Sequence, residues 1–290
     1  MHYLIIRAGL MMVSAMLVTT IQAGERTNKY GITMVDIPAG SFVMGSCKLT
    51  QAQVEDNKKR AFLGQAPIGV DCLAGSPDSD AGDSETPQHR VSIRAFQMGK
   101  TEVTLGQFKR FIAATGRHDL VNDDFMKYNA YGADAPVVQV SWNDAQNFIE
   151  WLNKTDGGGW RLPSESEWEY ACRAGGRHTY CGGDNPEAVG WFGGNSGGRQ
   201  HAVAGKQPNA WGLYDMSGNV YEWVQDCWHD SYNGAPANGS AWMSGQCELR
   251  VLRGGSWLDN PDSLRAAIRN GDRPVNRNYI AGFRLARTAP

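Results

Sequence analysis

The sequence predicts a single α+β domain with little regular secondary structure. Three capped helical segments lie before residue 175, and no helical period of useful length follows. Glycine supplies 35 of the 290 residues and tryptophan ten, and glycine is usually only about 7% of a chain. Glycine permits positive φ and large rings fill an irregular core, so this composition is typical of a loop-rich globular domain. With 41% hydrophobic and 20% charged residues, disorder is excluded.

Residues 1–23 are predicted to be an export signal. His2 and Arg7 accompany an apolar stretch from Ala8 to Val18, and Ala23 supplies the small residue at the cleavage point. The apolar stretch is too short to cross a bilayer as a helix. We therefore expect a mature chain of residues 24–290 that is periplasmic or secreted, with no membrane span after signal cleavage. A retained N-terminal anchor is the alternative.

The six cysteines agree with export, because an even number in an oxidising compartment indicates disulfides. Fifteen connectivities are possible, and the spacing favours three local pairs. Free thiols stay open as an alternative, whereas zinc is disfavoured because no close C-x₂₋₄-C pair occurs. The favoured pairs are Cys47–Cys72, Cys172–Cys181 and Cys227–Cys247.

The first part of the mature chain reads as strands around a long loop. Residues 32–45 contain two β-leaning runs around Pro38-Ala39-Gly40, which predicts a hairpin. Residues 46–88 are polar and rich in Pro, Gly, Ser and Asp, and we expect a loop pinned by a disulfide. Residues 91–98 alternate as a strand.

Capping residues mark the starts of three helices. Thr104 precedes Gln107 and Ser164 precedes Glu167 by three residues, which are full capping-box signatures. Ser141 with Asp144 is a weaker version. Apolar residues at helical spacing follow each start, and glycines end the first helix at Gly116 and the third at 175–176.

The remainder, from residue 175, is dominated by Gly, Asn, Asp and Trp. Short strands are predicted at 250–252 and 283–286. No linker-like segment marks a boundary near residue 175, so one domain covering 24–290 is preferred.

The charge distribution argues against nucleic acid as a partner. Twenty-eight basic and 30 acidic residues give a net charge of −2, and no Lys or Arg run follows a phosphate backbone. The one dense basic stretch, 265–287, alternates with Asp, Asn and apolar residues. A structural role is favoured there over an anion site.

Eight segments, in order along nearly the whole mature chain, resemble the formylglycine-generating enzyme family, also called sulfatase-modifying factor domains. The resemblance implies a C-type-lectin-like α+β fold, which fits the glycine and tryptophan surplus. The segments are MVDIPAGSFVMGS (34–46), ETPQHRV (85–91), KTEVTLGQF (100–108), PVVQVSWNDAQNFIEWLN (136–153), WRLPSESEWEYACRAG (160–175), GLYDMSGNVYEW (212–223), RVLRGGSW (250–257) and GFRLA (282–286).

The resemblance also defines what is missing. The family's copper enzymes, which oxidise a sulfatase cysteine to formylglycine with oxygen, carry a cysteine pair shortly after the GGS motif, and thiolates suit Cu(I). Residues 258–264 here read LDNPDSL, so copper is not expected. An iron branch of the family uses a histidine and carboxylate cluster. The histidines here form no close set in sequence, and an iron site assembled in space stays open.

A structural calcium site is implied by the same resemblance. The ligands carried over from the family are side-chain oxygens of Asp215 and Glu222 and backbone carbonyls of Gly218 and Val220. Calcium takes such hard oxygen ligands. The family more often has Asn at the position of Asp215. The alternative is that Asp215 and Glu222 only cap turns beside Trp223.

Two functional hypotheses follow, and neither names a substrate, a catalytic set or a partner. One is an exported oxidoreductase of this superfamily that acts without the copper cysteines on a protein or small molecule. The other is a monomeric, non-catalytic binding or accessory protein whose loops at 258–281 form the binding face, as in relatives diversified at Asn codons. Residues 258–281 contain no Lys, Glu, Gln, Met or Trp, which such codons cannot reach. The candidate face comprises Asp259, Asn260, Asp262, Ser263, Asn270, Asp272, Asn278 and Tyr279.

Overall fold

The computed structural model describes residues 24–67 and 72–289. The predicted export signal, residues 1–23, lies outside the described residues. Within the described ranges, no helix is both long and apolar enough to cross a membrane.

Helices and short strands are mixed, and the prediction of an α+β fold of low regular content is confirmed. The helices are α1 (Gln51–Phe62), α2 (Leu105–Thr115), α3 (Asp123–Tyr128), α4 (Trp142–Thr155), α5 (Glu165–Arg173) and α6 (Pro186–Val189). The strands are β1 (Glu25–Thr27), β2 (Thr33–Ile37), β3 (Gly40–Met44), β4 (His89–Ile93), β5 (Phe96–Gly99), β6 (Trp160–Arg161), β7 (Tyr221–Trp228), β8 (Gln246–Arg253), β9 (Arg269–Asp272), β10 (Ala281–Phe283) and β11 (Ala286–Thr288).

The described strands form three sheets. The largest has the order β1-β2-β5-β11-β6, so the C-terminal strand β11 lies between two strands from earlier in the chain. The second has the order β10-β7-β8-β9, in which β10 runs parallel to β7 and the other pairs are antiparallel. The third consists of β3 and β4 alone. The C-terminal segments thus take part in both larger sheets: β11 lies inside the first, and β9 and β10 form the edges of the second.

The three predicted helices form where the capping residues place them. The side chains of Thr104, Ser141 and Ser164 each accept a hydrogen bond from the backbone N–H three residues on, and each start is a reciprocal capping box. Helix α2 ends at Gly116 with φ of 70°. Such caps satisfy N–H groups that would otherwise lack a partner.

Aromatic rings fill the core between α2, α4 and β10. Phe108 of α2 stacks on Phe148 of α4 with 5.7 Å between ring centroids. Phe283 of β10 meets Phe148 edge-on at 5.6 Å. These three side chains are fully buried, so the apolar faces of the two helices hold the end of the second sheet in place.

Strand pairing differs from the sequence prediction in two places. Residues 32–45 do form two strands, but β2 pairs with β1 and β5 while β3 pairs with β4, so the predicted hairpin is wrong. Pro38 lies in the connection, and proline cannot extend a ladder. The predicted strand at 91–98 is also two strands, β4 and β5, which belong to different sheets.

The predicted loop at 46–88 contains helix α1, which the sequence analysis missed. Thr50 and Gln53 form its capping box, a signal visible in the sequence. Helix α1 has no buried residue. No apolar face stood out there, because the helix is not part of the core.

The cysteines form the three local pairs that the spacing favours. Cys47–Cys72 closes the segment that carries α1, and Cys227–Cys247 joins β7 to β8. No free cysteine remains among the described residues. The third pair, Cys172–Cys181, fixes the turn that follows α5.

The basic stretch near the C-terminus has the structural role that was favoured. Arg265, Arg269 and Arg284 are buried and each contacts a buried glutamate, at 2.8 Å (Glu85), 2.5 Å (Glu165) and 2.6 Å (Glu222) respectively. These guanidinium groups connect segments far apart in sequence.

Candidate functional site

The turn after the RGGSW motif presents the carboxylate of Asp259. Gly255 has φ of 75°, and a Cβ there would approach the Ser263 carbonyl oxygen to 2.5 Å, so only glycine fits. The Ser256 hydroxyl donates to the Asp259 carboxylate. Gly193 donates its backbone N–H to the Asp259 carbonyl at 2.8 Å. Asp259 is thereby held at the surface of the turn.

Tyr221, the first residue of β7, faces Asp259. Burial raises the pKa of Tyr221 to about 12, the Asp259 carboxylate adds to the rise, and a hydrogen bond from Asn270 partly offsets it. The phenol is therefore protonated at neutral pH. The buried Tyr221 hydroxyl thus feels the Asp259 charge and the Asn270 amide, and together these groups can donate and accept protons.

An aromatic rim adjoins this group. Tyr279 stacks on Tyr128 of α3 at 4.8 Å, and Trp257 lies 6.0 Å from the Tyr279 ring. The Tyr221 N–H donates to the Ile280 carbonyl at 2.8 Å, which ties the rim to β7. Leu258, half exposed at 50%, follows Trp257. Trp257 is buried and Tyr128 and Tyr279 are half-buried, so the rim presents parts of the two tyrosine rings beside these polar groups.

The eight predicted face residues do not form one surface group. Asp259 and Asn270 meet through Tyr221, and Tyr279 belongs to the aromatic rim. The Asn278 side chain accepts from the Ile280 N–H, and that of Asp272 accepts from Asn276 and from the Arg273 N–H. These contacts stabilise turns. In the described part of the chain, no side-chain contact joins Asn260, Asp262 or Ser263 to Tyr221.

Tyr221, Tyr128, Trp257 and Ser256 were not predicted as site residues. Three of them lie inside the motifs GLYDMSGNVYEW and RGGSW, so the family motifs were an available signal. Tyr128 lies on α3, a short helix that the sequence analysis did not identify.

The predicted calcium ligands surround a buried turn. Asp215, Gly218 and Asn219 have φ of 55°, 80° and 60°. One Asp215 oxygen accepts from the Ala204 N–H at 2.6 Å, and the other, Oδ1, is buried with no hydrogen-bond partner. Burial raises the pKa of Asp215 to about 6. An unpartnered buried carboxylate oxygen fits a hard cation.

Glu222 is not free to act as a ligand in this arrangement. Both of its oxygens accept from the Arg284 guanidinium, at 2.6 and 2.7 Å, and Trp168 also donates to one of them at 2.7 Å. Glu102, a residue not predicted, lies near Asp215. Both Glu102 oxygens are buried without partners, and burial, followed by the Asp215 charge, raises the pKa of Glu102 well above its usual value.

A transition-metal site finds less support. The described residues contain no group of three or more His, Cys, Asp or Glu side chains arranged to hold a metal ion. His201 stacks on Trp191 with 3.8 Å between ring centroids, and His229 stacks on Trp242 at 3.4 Å. Every described cysteine is in a disulfide. The residues at 258–264 therefore do not fit the family's copper thiolates.

The chain belongs to the sulfatase-modifying factor family, because the family described as "Sulfatase-modifying factor enzyme 1-like domain" matches residues 20–289. It is 32% identical over 266 residues to a formylglycine-generating enzyme of Streptomyces coelicolor, covering 71% of this chain and 82% of that protein. It is 30% identical over 264 residues to hercynine oxygenase of Mycolicibacterium smegmatis, covering 76% and 58%.

Two further similarities bear on the extent of the match. The serine/threonine-protein kinase pkn1 of Chlamydia pneumoniae is 31% identical over 263 residues, 83% of this chain but only 40% of that protein. The structure of PvdO from Pseudomonas aeruginosa superposes with a TM-score of 0.74 at 34% identity, covering 92% of this chain and 98% of that one. The expected family fold is thus confirmed.

Proposed function

We propose that the chain is an exported oxidoreductase of the sulfatase-modifying factor superfamily that works without copper thiolates. Two of its relatives are named for oxidative chemistry, a formylglycine-generating enzyme and an oxygenase. The three disulfides are consistent with an oxidising compartment.

The observation that carries the proposal is the group formed by Tyr221, Asp259 and Asn270. Asp259 of this group lies in the 258–264 stretch that follows the RGGSW motif, and its charge acts on the buried Tyr221 hydroxyl, so the group combines a proton donor with a proton acceptor. Ser256 orients the Asp259 carboxylate. In this proposal molecular oxygen is the oxidant and takes the electrons of the thiol substrate, Asp259 accepts the proton that the substrate loses, Tyr221 donates a proton to the reduced oxygen, and the aromatic rim holds an apolar part of the substrate.

Oxygen uptake by the purified mature protein tests this proposal. The substrates offered are a sulfatase-type cysteine peptide and a small thiol compound. We expect uptake by the unaltered protein, and a loss of about a hundredfold or more in Tyr221→Phe and Asp259→Asn, because general acid–base groups contribute about 10² to 10⁴ to a rate. Tyr214→Phe is the matched control, since the Lys100 ammonium lies over the Tyr214 ring and Tyr214 is outside this group.

Absence of uptake with both substrates would overturn the oxidoreductase proposal. Unchanged rates in both variants would instead show that oxidation occurs elsewhere in the molecule.

The second candidate function is a non-catalytic binding or accessory role on the same face. The half-buried tyrosines of the rim favour it, because Tyr128 and Tyr279 present parts of two rigid, stacked rings, with the buried Trp257 packed near Tyr279. The oxygen assay separates the two functions, since a binding protein consumes no oxygen.

A structural calcium ion remains part of the proposal. Asp215, with Glu102 beside it, supplies the buried oxygens that lack partners. Glu222 contributes by positioning Arg284 against the same turn. The carbonyls of Gly218 and Val220 complete the proposed ligand set.

A further inference from the structure

A free strand edge lies at a cleft away from the Tyr221 group. Strand β3 belongs to a two-stranded sheet and pairs only with β4. The far side of β4 is covered, since Ser92 donates its backbone N–H to the Ala237 carbonyl at 2.8 Å. We propose that the open edge of β3 accepts an extended acidic peptide as an added strand. This inference is independent of the proposed oxidoreductase function.

The register shows which backbone groups of β3 face outward. Ser41 is opposite Ser92, whose N–H points away from β3. In an antiparallel pair, opposite residues either exchange both hydrogen bonds or point both sets outward, and the two kinds alternate. The N–H and C=O groups of Ser41, and of Val43 two residues on, therefore face away from β4.

The next outward residue shows that this edge accepts partners. The Gly45 N–H donates to the Glu169 carboxylate at 3.0 Å, and its carbonyl accepts from the Gln88 amide at 3.4 Å. Within the described part of the chain, no backbone hydrogen bond of this kind is made by the outward groups of Ser41 or Val43. Ser41 is exposed and Val43 half-buried, so a short strand can reach both.

The cleft beside this edge has a volume of about 600 Å³, within the range of about 300 to 1,000 Å³ that binding sites occupy. Its far wall is anchored. Asp78 donates its N–H to the Cys47 carbonyl at 2.7 Å, and the Arg265 guanidinium holds the Asp78 carboxylate at 2.9 Å. The Cys47–Cys72 disulfide fixes the same wall. The cleft is therefore formed before any ligand arrives.

Charge and ring chemistry indicate what kind of peptide fits. Arg173, Arg177 and Arg265 line the cleft, against Asp78 and Asp80. Arg173 pairs with Glu169, and Arg265 pairs with Glu85 and Asp78, so Arg177 is the lining arginine whose charge is left for a ligand. Arg177 is exposed and makes no ion pair among the described residues. An acidic partner is favoured.

Rings line the same cleft. Tyr170 and Trp211 meet edge-on at 4.9 Å, and Phe42 contacts Tyr170 at 5.3 Å. Side chains of an added strand alternate between its two faces, so apolar residues alternating with acidic ones can meet the rings while the acidic ones reach Arg177. Backbone pairing supplies affinity and the alternate pockets supply selectivity.

Amide hydrogen exchange with a defined probe tests the proposal. The probe is an acetylated, amidated hexapeptide that alternates glutamate and valine. We expect exchange of the Ser41 and Val43 amides to slow at least about tenfold when the peptide is bound, whereas the Phe42 and Met44 amides, already paired with β4, stay unchanged. Control peptides carry lysine for glutamate, or N-methyl groups on alternate amides, and neither should protect these amides.

Two variants sharpen the test. Ser41→Pro removes an N–H that faces away from β4, so no hydrogen bond to β4 is lost. It should weaken peptide binding roughly tenfold, whereas Ser41→Thr, the matched control, should not. Arg177→Glu, on the surface, should weaken binding of the acidic peptide and favour the lysine peptide. Unchanged Phe42 exchange verifies that Ser41→Pro retains the sheet. Binding without protection of Ser41 and Val43, or no binding at about millimolar peptide, would overturn the proposal.

Discussion

Two buried ionic clusters differ in how their charges are matched. In the first, Glu165 and Glu169 of α5 meet Arg253 of β8, Arg269 of β9 and Arg173 of α5, so each carboxylate has at least one guanidinium partner. In the second, Glu102, Asp215 and Glu222 share the one buried guanidinium of Arg284, which only Glu222 contacts. We call them the balanced and the unbalanced cluster.

The difference separates a cluster that supports the fold from a site whose negative charge needs a proton or a cation. The balanced cluster fastens α5 to the second sheet, and its carboxylates have charged partners, so burial costs less than it would for isolated ions. The unbalanced cluster leaves three carboxylate oxygens without partners. Protons or a cation must compensate there, and the family resemblance proposes calcium at the same turn.

Breaking the balanced cluster should cause the largest loss in the free energy of unfolding. The side chain of Arg253 is fully buried, contacts Glu169 at 2.6 Å and donates to three backbone carbonyls. Arg253→Met leaves these partners uncompensated and should reduce the free energy of unfolding by about 3 to 5 kcal/mol. Urea unfolding measures this change.

Lys154→Met is the control for that experiment, because Lys154 and Glu150 form an exposed pair on α4. No measurable change is expected in the control. A loss in Arg253→Met no larger than in the control would show that the balanced cluster does not support the fold.

Calcium should neutralise part of the negative charge of the unbalanced cluster and so stabilise the folded protein. A ligand at about 100 times its Kd adds about 2.7 kcal/mol, and each kcal/mol raises Tm by about 2 to 4 °C in a domain of this size. We therefore expect millimolar calcium to raise Tm by several degrees in thermal melts, and the shift to shrink in Asp215→Asn, which removes one negative charge.

Asp272→Asn controls for a general effect of charge, since Asp272 lies in a turn outside this cluster. Its calcium shift should equal that of the unaltered protein. A Tm that does not respond to calcium, together with no calcium in metal analysis, would refute the calcium proposal.

Asp226, which lies next to the balanced cluster, should have a smaller effect on the free energy of unfolding, and this effect should depend on pH. Burial, and then the Glu165 charge, raises the pKa of Asp226 to about 7. Its oxygens accept from the Glu165 and Trp242 N–H groups at 2.7 and 2.8 Å. The folded protein holds the Asp226 proton up to about pH 7, whereas the unfolded chain loses it near the ordinary pKa of an aspartate, about 4. The free energy of unfolding therefore falls as pH rises from about 4 through 7.

Asp226→Asn removes this titration. The difference in free energy of unfolding between the unaltered protein and the variant, measured by urea titration from pH 5 to 8, should therefore shift by about 1 kcal/mol or more in favour of the variant as pH rises. Gln225→Asn, at the neighbouring half-buried position, is the control and should show no such trend. Parallel curves for all three proteins would contradict the assignment to Asp226.

The sequence predicted local features better than long-range ones. The starts of α2, α4 and α5 follow from Thr104, Ser141 and Ser164, because a capping box is a contact between residues three apart. The pairing of β2 and β3 could not be predicted in this way, since their partners β5 and β4 lie beyond residue 88 and are chosen by the packing of the whole sheet.

The same limit applies to the candidate site. Asp259 was predicted as part of a binding face because it lies in the polar segment that follows the RGGSW motif. Tyr221 and Tyr128 reach Asp259 and Tyr279 only through the folded chain. Nothing in the sequence marks Glu102 as a candidate cation ligand, because only the fold buries it beside Asp215. The arginines at 265, 269 and 284 were correctly judged structural from their alternation with apolar and acidic residues.

The most direct test of the central claim is oxygen uptake on the cysteine peptide and the small thiol in the presence of a Cu(I) chelator. The claim is that this family member oxidises its substrate at the Tyr221 and Asp259 group without copper thiolates. We predict that uptake persists at an unchanged rate with the chelator and falls in Tyr221→Phe. Loss of uptake on chelation, with recovery on adding copper, would contradict the account.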